Sequence, residues 1–108
     1  MRLFIMPILQ ARGAAVEYSQ HGAGPDLVLL HSLLADRSAF DRALPQLSAK
    51  RRVTLLSLPG YRGSAPAGTT VPDYADRVAD ALDALQLQGA DLLGNGFGGF
   101  VAVSLAIR

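Results

Sequence analysis

The sequence contains no cysteine and no tryptophan, and it has only two histidines. The absence of cysteine excludes disulfides, thiol redox chemistry and cysteine–metal sites. Because His21 and His31 lie in separate segments, the sequence does not favour a metal site, and we expect no metal and no other cofactor. The formal net charge is +1, without a basic stripe or an acidic tail, so nucleic acid is not an expected partner.

Long apolar runs are also missing. No segment approaches the ~20 residues that a membrane span requires, so we expect no membrane partner. Residues Met1 to Leu9 resemble a very short signal peptide, but Pro7 interrupts the apolar stretch and no clean cleavage site follows, which favours a cytoplasmic protein. Met6 offers an alternative start, so we expect residues 1–7 to be a disordered or mis-started extension of one domain spanning residues 1–108.

Half of the residues are hydrophobic, and their spacing predicts strands. Val16 and Tyr18 alternate with polar neighbours, which indicates a strand over residues 14–20 that pairs with residues 8–11 as a hairpin. Continuous apolar runs are typical of strands covered on both faces. Leu27–Leu30 is such a run; a second buried strand is predicted over Arg52–Leu58, which contains Val53-Thr54-Leu55-Leu56, and a short third one over Ala90–Leu93.

Helices are predicted between and after these strands. Residues 38–47 carry apolar side chains at helical spacing, with Pro45 weakening the end of the helix. Thr70 is suited to cap a helix that starts near Val71, and a last helix covers residues 97–107. Strands that alternate with helices favour a parallel sheet with helices on both faces. The predicted fold class is therefore α/β, with a β hairpin followed by three mainly parallel β-α units.

Each buried strand is followed by a distinctive loop. The first strand runs into Leu29-Leu30-His31-Ser32-Leu33, the second into Leu58-Pro59-Gly60-Tyr61-Arg62-Gly63-Ser64, and the third into Gly94-Asn95-Gly96-Phe97-Gly98-Gly99. In this order they resemble the oxyanion loop, the L-P-G-x-G-x-S loop and the G-x-S-x-G-G nucleophile elbow of the α/β-hydrolase superfamily. The stretch His31–Ser38 is most similar to the esterase- and lactonase-like members. The resemblance implies the N-terminal part of an α/β-hydrolase sheet, incomplete relative to the full fold.

The resemblance also implies roles for single residues. Gly96 occupies the nucleophile position, the backbone N–H groups of Leu33 and Phe97 would form the oxyanion hole, and His31 and Ser32 belong to the oxyanion loop. The remaining elbow residues are Gly94, Asn95, Gly98 and Gly99. The implied activity is hydrolysis of an ester, lactone or similar small acyl substrate by a serine, a histidine and an acid, the last two lying downstream of residue 108 with further strands and a lid.

Four positions depart from this pattern. Ser32 stands where glycine is usual, Ser57 where an aspartate often precedes Leu-Pro-Gly, Arg62 where glycine is usual, and Gly96 at the serine nucleophile. Glycine at position 96 removes the covalent step, and it relaxes a turn whose positive φ costs other residues about 1–3 kcal/mol. We therefore expect a truncated hydrolase-family chain that is not catalytically competent.

Other nucleophiles and other functions fit the sequence less well than an inactive hydrolase-family chain. Ser32, Ser57 and Ser64 lie in nearby loops, but turn or strand-end roles suit them better than nucleophilic ones. His31 is interpreted as a structural member of the oxyanion loop rather than a general base. A non-enzymatic binding or interaction protein of the superfamily remains an alternative. A dinucleotide-binding domain using G-x-G-x-x-G at residues 94–99 is a second alternative, with thin support because that fingerprint belongs after the first strand of its fold.

The last predicted strand and helix would leave apolar surface uncovered. A strand over residues 90–93 has an open edge on its far side, and the helix over residues 97–107 is apolar nearly all round. We expect the 108-residue chain to self-associate through this open sheet edge.

Overall fold

The computed structural model describes residues 7–107, so the extension expected at residues 1–7 lies, apart from Pro7, outside the described residues. Five strands form one sheet in the order β1-β2-β4-β3-β5. Their bounds are β1 Ile8–Ala11, β2 Ala14–His21, β3 Asp26–Leu30, β4 Arg52–Leu56 and β5 Asp91–Gly94. The β1–β2 and β2–β4 pairs are antiparallel, and β3 pairs in parallel with both β4 and β5. The sheet confirms the predicted α/β class and the predicted hairpin, and β4 ends at Leu56 rather than at Leu58.

The helix predicted over residues 38–47 is wrong as a single element. A 3-10 helix covers Arg37–Phe40, and a separate short helix, α1, covers Leu44–Ser48. Pro45 lies in the first turn of α1. A continuous helix would set the proline ring against the carbonyl four residues earlier, whereas the first turn tolerates proline because its N–H groups have no helical partner.

The other two helices agree with the sequence. Helix α2 covers Val71–Ala84, and α3 covers Phe97–Ala106. The side chain of Thr70 accepts from the backbone N–H of Asp73 at 3.2 Å, while the Asp73 carboxylate accepts from the Thr70 N–H at 3.0 Å. This reciprocal capping box satisfies two donors at the start of α2 and fixes where that helix begins.

The sheet is covered on both faces. On one face, Val28 and Leu30 of β3 pack with residues of α2 and α3, including Val78 and Val101. On the other face, alternate residues of β3 and β4 pack with Phe40 of the 3-10 helix, with α1 at the margin. Because β3, β4 and β5 are parallel, their carboxyl ends meet at one edge of the sheet. The three loops singled out in the sequence all start at that edge.

Strand β5 is the outer strand of the sheet on its side, within residues 7–107. Beside it, α3 and the residue that follows it leave large apolar side chains exposed, with Phe100 at 68% and Ile107 at 79% of their full accessibility. Such a surface, next to unpaired strand N–H and C=O groups, favours association.

We expect the 108-residue chain, expressed by itself, to associate with copies of itself through this edge and face. Light scattering should show species larger than a monomer, and an apolar-surface dye should bind. The double variant Phe100→Glu/Val103→Glu should shift the population towards monomer, because it places charge on the exposed face of α3. A monodisperse wild-type monomer that binds no dye would contradict the prediction.

Candidate functional site

The elbow loop between β5 and α3 sits against the end of β3. The backbone N–H of Asn95 donates to the carbonyl of Leu30 at 3.0 Å, which continues the β3–β5 pairing by one step. The carbonyls of Asn95 and Gly96 then accept from the N–H groups of Gly98 and Gly99, at 3.0 and 2.9 Å. The chain therefore turns from strand to helix within two residues.

Gly96 lies at the tip of this turn, with φ +58° and ψ −122°. This combination falls outside the small left-handed region that residues with a side chain can occupy. A sharp, strained strand-to-helix turn is the backbone geometry of a nucleophile elbow. Gly96 therefore lies at the tip of a sharp strand-to-helix turn of the kind expected at the nucleophile position, and it has no side chain that could attack.

Two other glycines of the elbow allow backbones to approach closely. A Cβ on Gly98 would lie 2.2 Å from the carbonyl oxygen of Leu30, and a Cβ on Gly94 would lie 2.3 Å from that of Gly98. Gly99 is different, since a Cβ there would meet the oxygen of Gly94 only at 3.5 Å, an ordinary contact. Gly94 and Gly98 therefore allow α3 to pack closely against the sheet.

The oxyanion loop faces the elbow through Ser32. A Cβ placed on Gly96 would lie 3.0 Å from the Cβ of Ser32. The residues that follow these two positions are Leu33 and Phe97, the expected oxyanion donors. Within residues 7–107, neither of their N–H groups donates one of the backbone hydrogen bonds that hold these loops. Neither amide is used by those bonds, which is what the predicted oxyanion hole requires of both donors.

His31 orients the first of these amides. Its Nε2 accepts from the backbone N–H of Leu58 at 2.9 Å, so the ring proton is on Nδ1, which donates to the Ser32 carbonyl at 2.9 Å. That carbonyl and the N–H of Leu33 belong to one planar trans peptide and point in opposite directions. Holding the carbonyl therefore aims the N–H. Both nitrogens of His31 are occupied, which fits a structural role better than a general base.

The loop after β4 clamps the oxyanion loop from one side. The hydroxyl of Tyr61 donates to the carbonyl of Leu33, and its ring packs edge-on against His31 with centroids 4.8 Å apart. Arg62 binds the Asp36 carboxylate at 2.8 and 3.0 Å. Hydrogen bonds from Ser38 and from Arg62 lower the pKa of Asp36 to about 2.

Arg62 also explains one departure from the resembled pattern. Its φ is +47°, a value that glycine adopts without strain. A residue with a side chain is strained at this φ, but the guanidinium of Arg62 forms the ion pair with Asp36.

A buried carboxylate that the sequence did not single out ties these loops to the sheet. One oxygen of Glu17, on β2, accepts from Arg37 and from the Ser57 hydroxyl, both at 3.0 Å, and the other accepts from the Gly63 N–H at 3.3 Å. Burial alone would raise the pKa of Glu17, but the hydrogen bonds and the charge of Arg37 outweigh it and hold the pKa below the usual range. Arg37 begins the 3-10 helix that follows the oxyanion loop, so Glu17 anchors both loops at once.

Ser57 and Ser64 belong to this same buried network. The Ser57 hydroxyl donates a hydrogen bond to Glu17, and the Ser64 hydroxyl donates to the Ser57 carbonyl at 2.6 Å while accepting from the Glu17 N–H at 2.9 Å. Both hydroxyls are committed within the network. Of the three serines considered as nucleophiles, only Ser32 faces the elbow.

His31 makes the stability of this site depend on pH. Burial lowers the pKa of His31, with the hydrogen bond to Ser32 opposing. Above about pH 6.5, histidine is neutral in both the folded and the unfolded chain. Below that value the unfolded chain takes up a proton first, so the free energy of unfolding falls by at most about 1.4 kcal/mol per pH unit until the lowered folded-state pKa is reached.

We expect denaturant unfolding between about pH 7.5 and about pH 5.5 to show this loss in the wild type. The His31→Gln variant should lack it. His21 is present in both proteins, so the difference between their slopes isolates His31. Equal slopes would contradict a buried, neutral His31.

The His, Asp and Glu side chains of residues 7–107 do not form any cluster of three or more that could hold a metal ion. The helices of this part of the chain are too short or too polar to cross a membrane.

Comparison with known proteins places this geometry in a family. The profile described as "Alpha/beta hydrolase family" matches residues 27–108. Among curated relatives, the pimeloyl-[acyl-carrier protein] methyl ester esterase of Aeromonas hydrophila is 34% identical over 93 residues, covering 86% of this chain and 36% of the esterase. The 2-hydroxymuconate semialdehyde hydrolase of Pseudomonas sp. is 34% identical over 104 residues, covering 91% of this chain and 37% of that hydrolase.

Solved structures of hydrolases also resemble this chain. The enol-lactonase of Burkholderia xenovorans superimposes with a TM-score of 0.87 at 29% identity, covering 94% of this chain and 42% of the lactonase. A hydrolase of Pseudomonas aeruginosa gives a TM-score of 0.86 at 31% identity, covering 95% and 41% of the two chains. The chain thus spans about two-fifths of the length of these proteins. With its sheet, its three loops and this profile match, the chain belongs to the alpha/beta hydrolase family.

Proposed function

We propose that this chain binds the acyl group of an ester or lactone at the elbow without forming a covalent intermediate at residue 96. The carbonyl oxygen, or a tetrahedral anion in its place, accepts from the N–H groups of Leu33 and Phe97. The observation that carries the proposal is Gly96, which keeps the strained turn of an elbow at φ +58° and ψ −122° but has no attacking atom.

The relatives support the substrate class. One is named as a methyl ester esterase and one solved structure as an enol-lactonase, and both substrate classes carry an acyl carbonyl. Because backbone donors do not depend on side-chain identity, loss of the serine leaves the carbonyl-binding half of the site intact. Neither histidine offers a base. Both nitrogens of His31 are occupied by hydrogen bonds. His21 ends β2, and because β2 runs antiparallel to β4, that end lies at the sheet edge opposite the elbow.

The dinucleotide-binding alternative has less support. Its glycines belong after the first strand of a nucleotide-binding sheet, at the point where strand order reverses. Here the glycine run follows β5, the outer strand on its side of the described sheet. A saturable response to NAD or NADP would revive this alternative.

Two measurements on the wild-type chain test the proposal. Butylphosphonate, a stable tetrahedral anion, should shift the backbone amide resonances of Leu33 and Phe97 in a saturable way, while those of Gly13 and Gly89, in distant turns, stay in place. Mass spectrometry after incubation with nitrophenyl butyrate should find no acyl adduct. An acylated serine, or a titration that leaves both site amides unmoved, would overturn the proposal.

A further inference from the structure

We infer that Ser32 supplies the hydroxyl of this site in place of residue 96, so that its Oγ contacts the bound acyl or phosphonate oxygen beside the Leu33 and Phe97 amides. The inference rests on the proposed function and deepens it. It assigns a ligand-binding side chain to a site otherwise built from backbone.

The first support is distance. The Cβ of Ser32 lies 3.0 Å from the point where a Cβ on Gly96 would stand. A hydroxyl on Ser32 therefore reaches the space that a hydroxyl on residue 96 would use. Among residues 7–107, this is also the only side chain within 4 Å of that point, apart from the immediate chain neighbours of Gly96.

The second support is availability. The hydroxyls of Ser57 and Ser64 both donate to other groups of the protein. The Ser32 hydroxyl makes no hydrogen bond within residues 7–107. No buried side-chain oxygen of the described chain lacks a partner, so the free hydroxyl of Ser32 is open to solvent and to a ligand. The backbone beneath it is held by His31, which leaves the hydroxyl free to rotate while its Cβ stays in place.

The third support is the pair of residue types. Position 32 carries serine where the resembled pattern has glycine, and position 96 carries glycine where it has serine. A Cβ on residue 96 would lie 3.0 Å from the Ser32 Cβ, so side chains at both positions would crowd unless one loop gave way slightly. The hydroxyl that the resembled pattern has on residue 96 is thus present on the facing loop, at residue 32.

A double-mutant cycle in stability tests the juxtaposition. Gly96→Ser should lower Tm by at least about 4 °C, from the positive φ and from the crowding against Ser32. The double variant Ser32→Gly/Gly96→Ser should recover part of that loss because it removes the crowding. Strictly additive effects would contradict the contact between the two positions.

A second cycle tests the ligand contact. Ser32→Gly should weaken butylphosphonate binding about ten-fold, as expected for one hydrogen bond to a charged oxygen. The exchange variant Ser32→Gly/Gly96→Ser should recover most of the affinity, because the hydroxyl returns from the other loop; a merely structural role of Ser32 would not be rescued in this way. Ser104→Ala, on α3, removes a hydroxyl away from the loops and should leave affinity unchanged.

The outcomes separate the two proposals. If the wild type does not bind butylphosphonate, the proposed function fails and the ligand role of Ser32 fails with it, while the stability cycle still tests the contact. If the wild type binds and Ser32→Gly binds equally well, only the assignment of Ser32 is overturned.

Discussion

Glu17→Gln is expected to lower the free energy of unfolding by about 3 kcal/mol. The side chains of Glu17 and Arg37 are only 10% and 12% exposed, and they meet at 3.0 Å. Removing one charge leaves the other buried without its partner, which costs more than the pair itself contributes. The glutamine NH2 group would also face donors on Arg37, Ser57 or Gly63, where the carboxylate had only acceptors.

The second substitution in this experiment separates charge from packing. The double variant Glu17→Gln/Arg37→Met should be less destabilised than the sum of the two single variants, because no uncompensated charge remains. Asp80→Asn is the matched control, since Asp80 pairs at 3.1 Å with Arg12, whose side chain is 77% exposed. We expect that control to change stability by less than about 1 kcal/mol. Denaturant unfolding measures all four variants, and a loss for Glu17→Gln no larger than the control would show that the buried pair does not matter.

Glu17 also shows where sequence-based prediction of this site stops. The alternation around Val16 and Tyr18 correctly indicated a strand, but the period of two does not reveal that Glu17 is buried as well. Its partners lie 20 to 46 positions away, and only the sheet order brings them together. The one signal in the sequence was Ser57, at a position where an aspartate often stands in the resembled pattern, and the Ser57 hydroxyl donates to Glu17 on β2.

Features that depend on neighbouring residues were predicted well. The Thr70 cap and the start of α2 follow from local hydrogen bonding, and the positive φ expected at Gly96 is present. The helix over residues 38–47 failed for a local reason of another kind. Its apolar spacing is helical, but Pro45 requires a new first turn, so the backbone constraint, which the sequence did contain, prevailed over the spacing.

The clamp on the oxyanion loop required the structure. His31 was assigned to that loop from the motif alone, and its role as a structural member remains a prediction that the pH experiment tests. Its hydrogen bond from the Leu58 N–H depends on the parallel pairing of β3 with β4, which places Leu30 beside Leu56. The order of the motifs indicated which loops lie together, whereas the register of the strands determines which atoms are in contact.

Gly98→Ala is expected to destabilise the chain by about 3 kcal/mol, even though it places alanine in a helix. The added Cβ would lie 2.2 Å from the carbonyl oxygen of Leu30 and 2.6 Å from that of His31. Both atoms are backbone at the end of β3, so no side chain can rotate away to relieve the clash. Helix α3 would have to move off the sheet, which would displace the Phe97 amide from the candidate oxyanion hole.

Gly99→Ala supplies the matched control in the same helix. Its Cβ would meet the oxygen of Gly94 at 3.5 Å, without a clash. Alanine exceeds glycine in helix propensity by about 1 kcal/mol, so this variant should be as stable as the wild type or more so. Thermal or denaturant unfolding compares the two, and butylphosphonate binding should be lost in Gly98→Ala but kept in Gly99→Ala. If Gly98→Ala is as stable as Gly99→Ala and binds equally well, α3 tolerates side chains along its whole first turn. Close packing of the helix against β3 would then not be what holds the elbow in place.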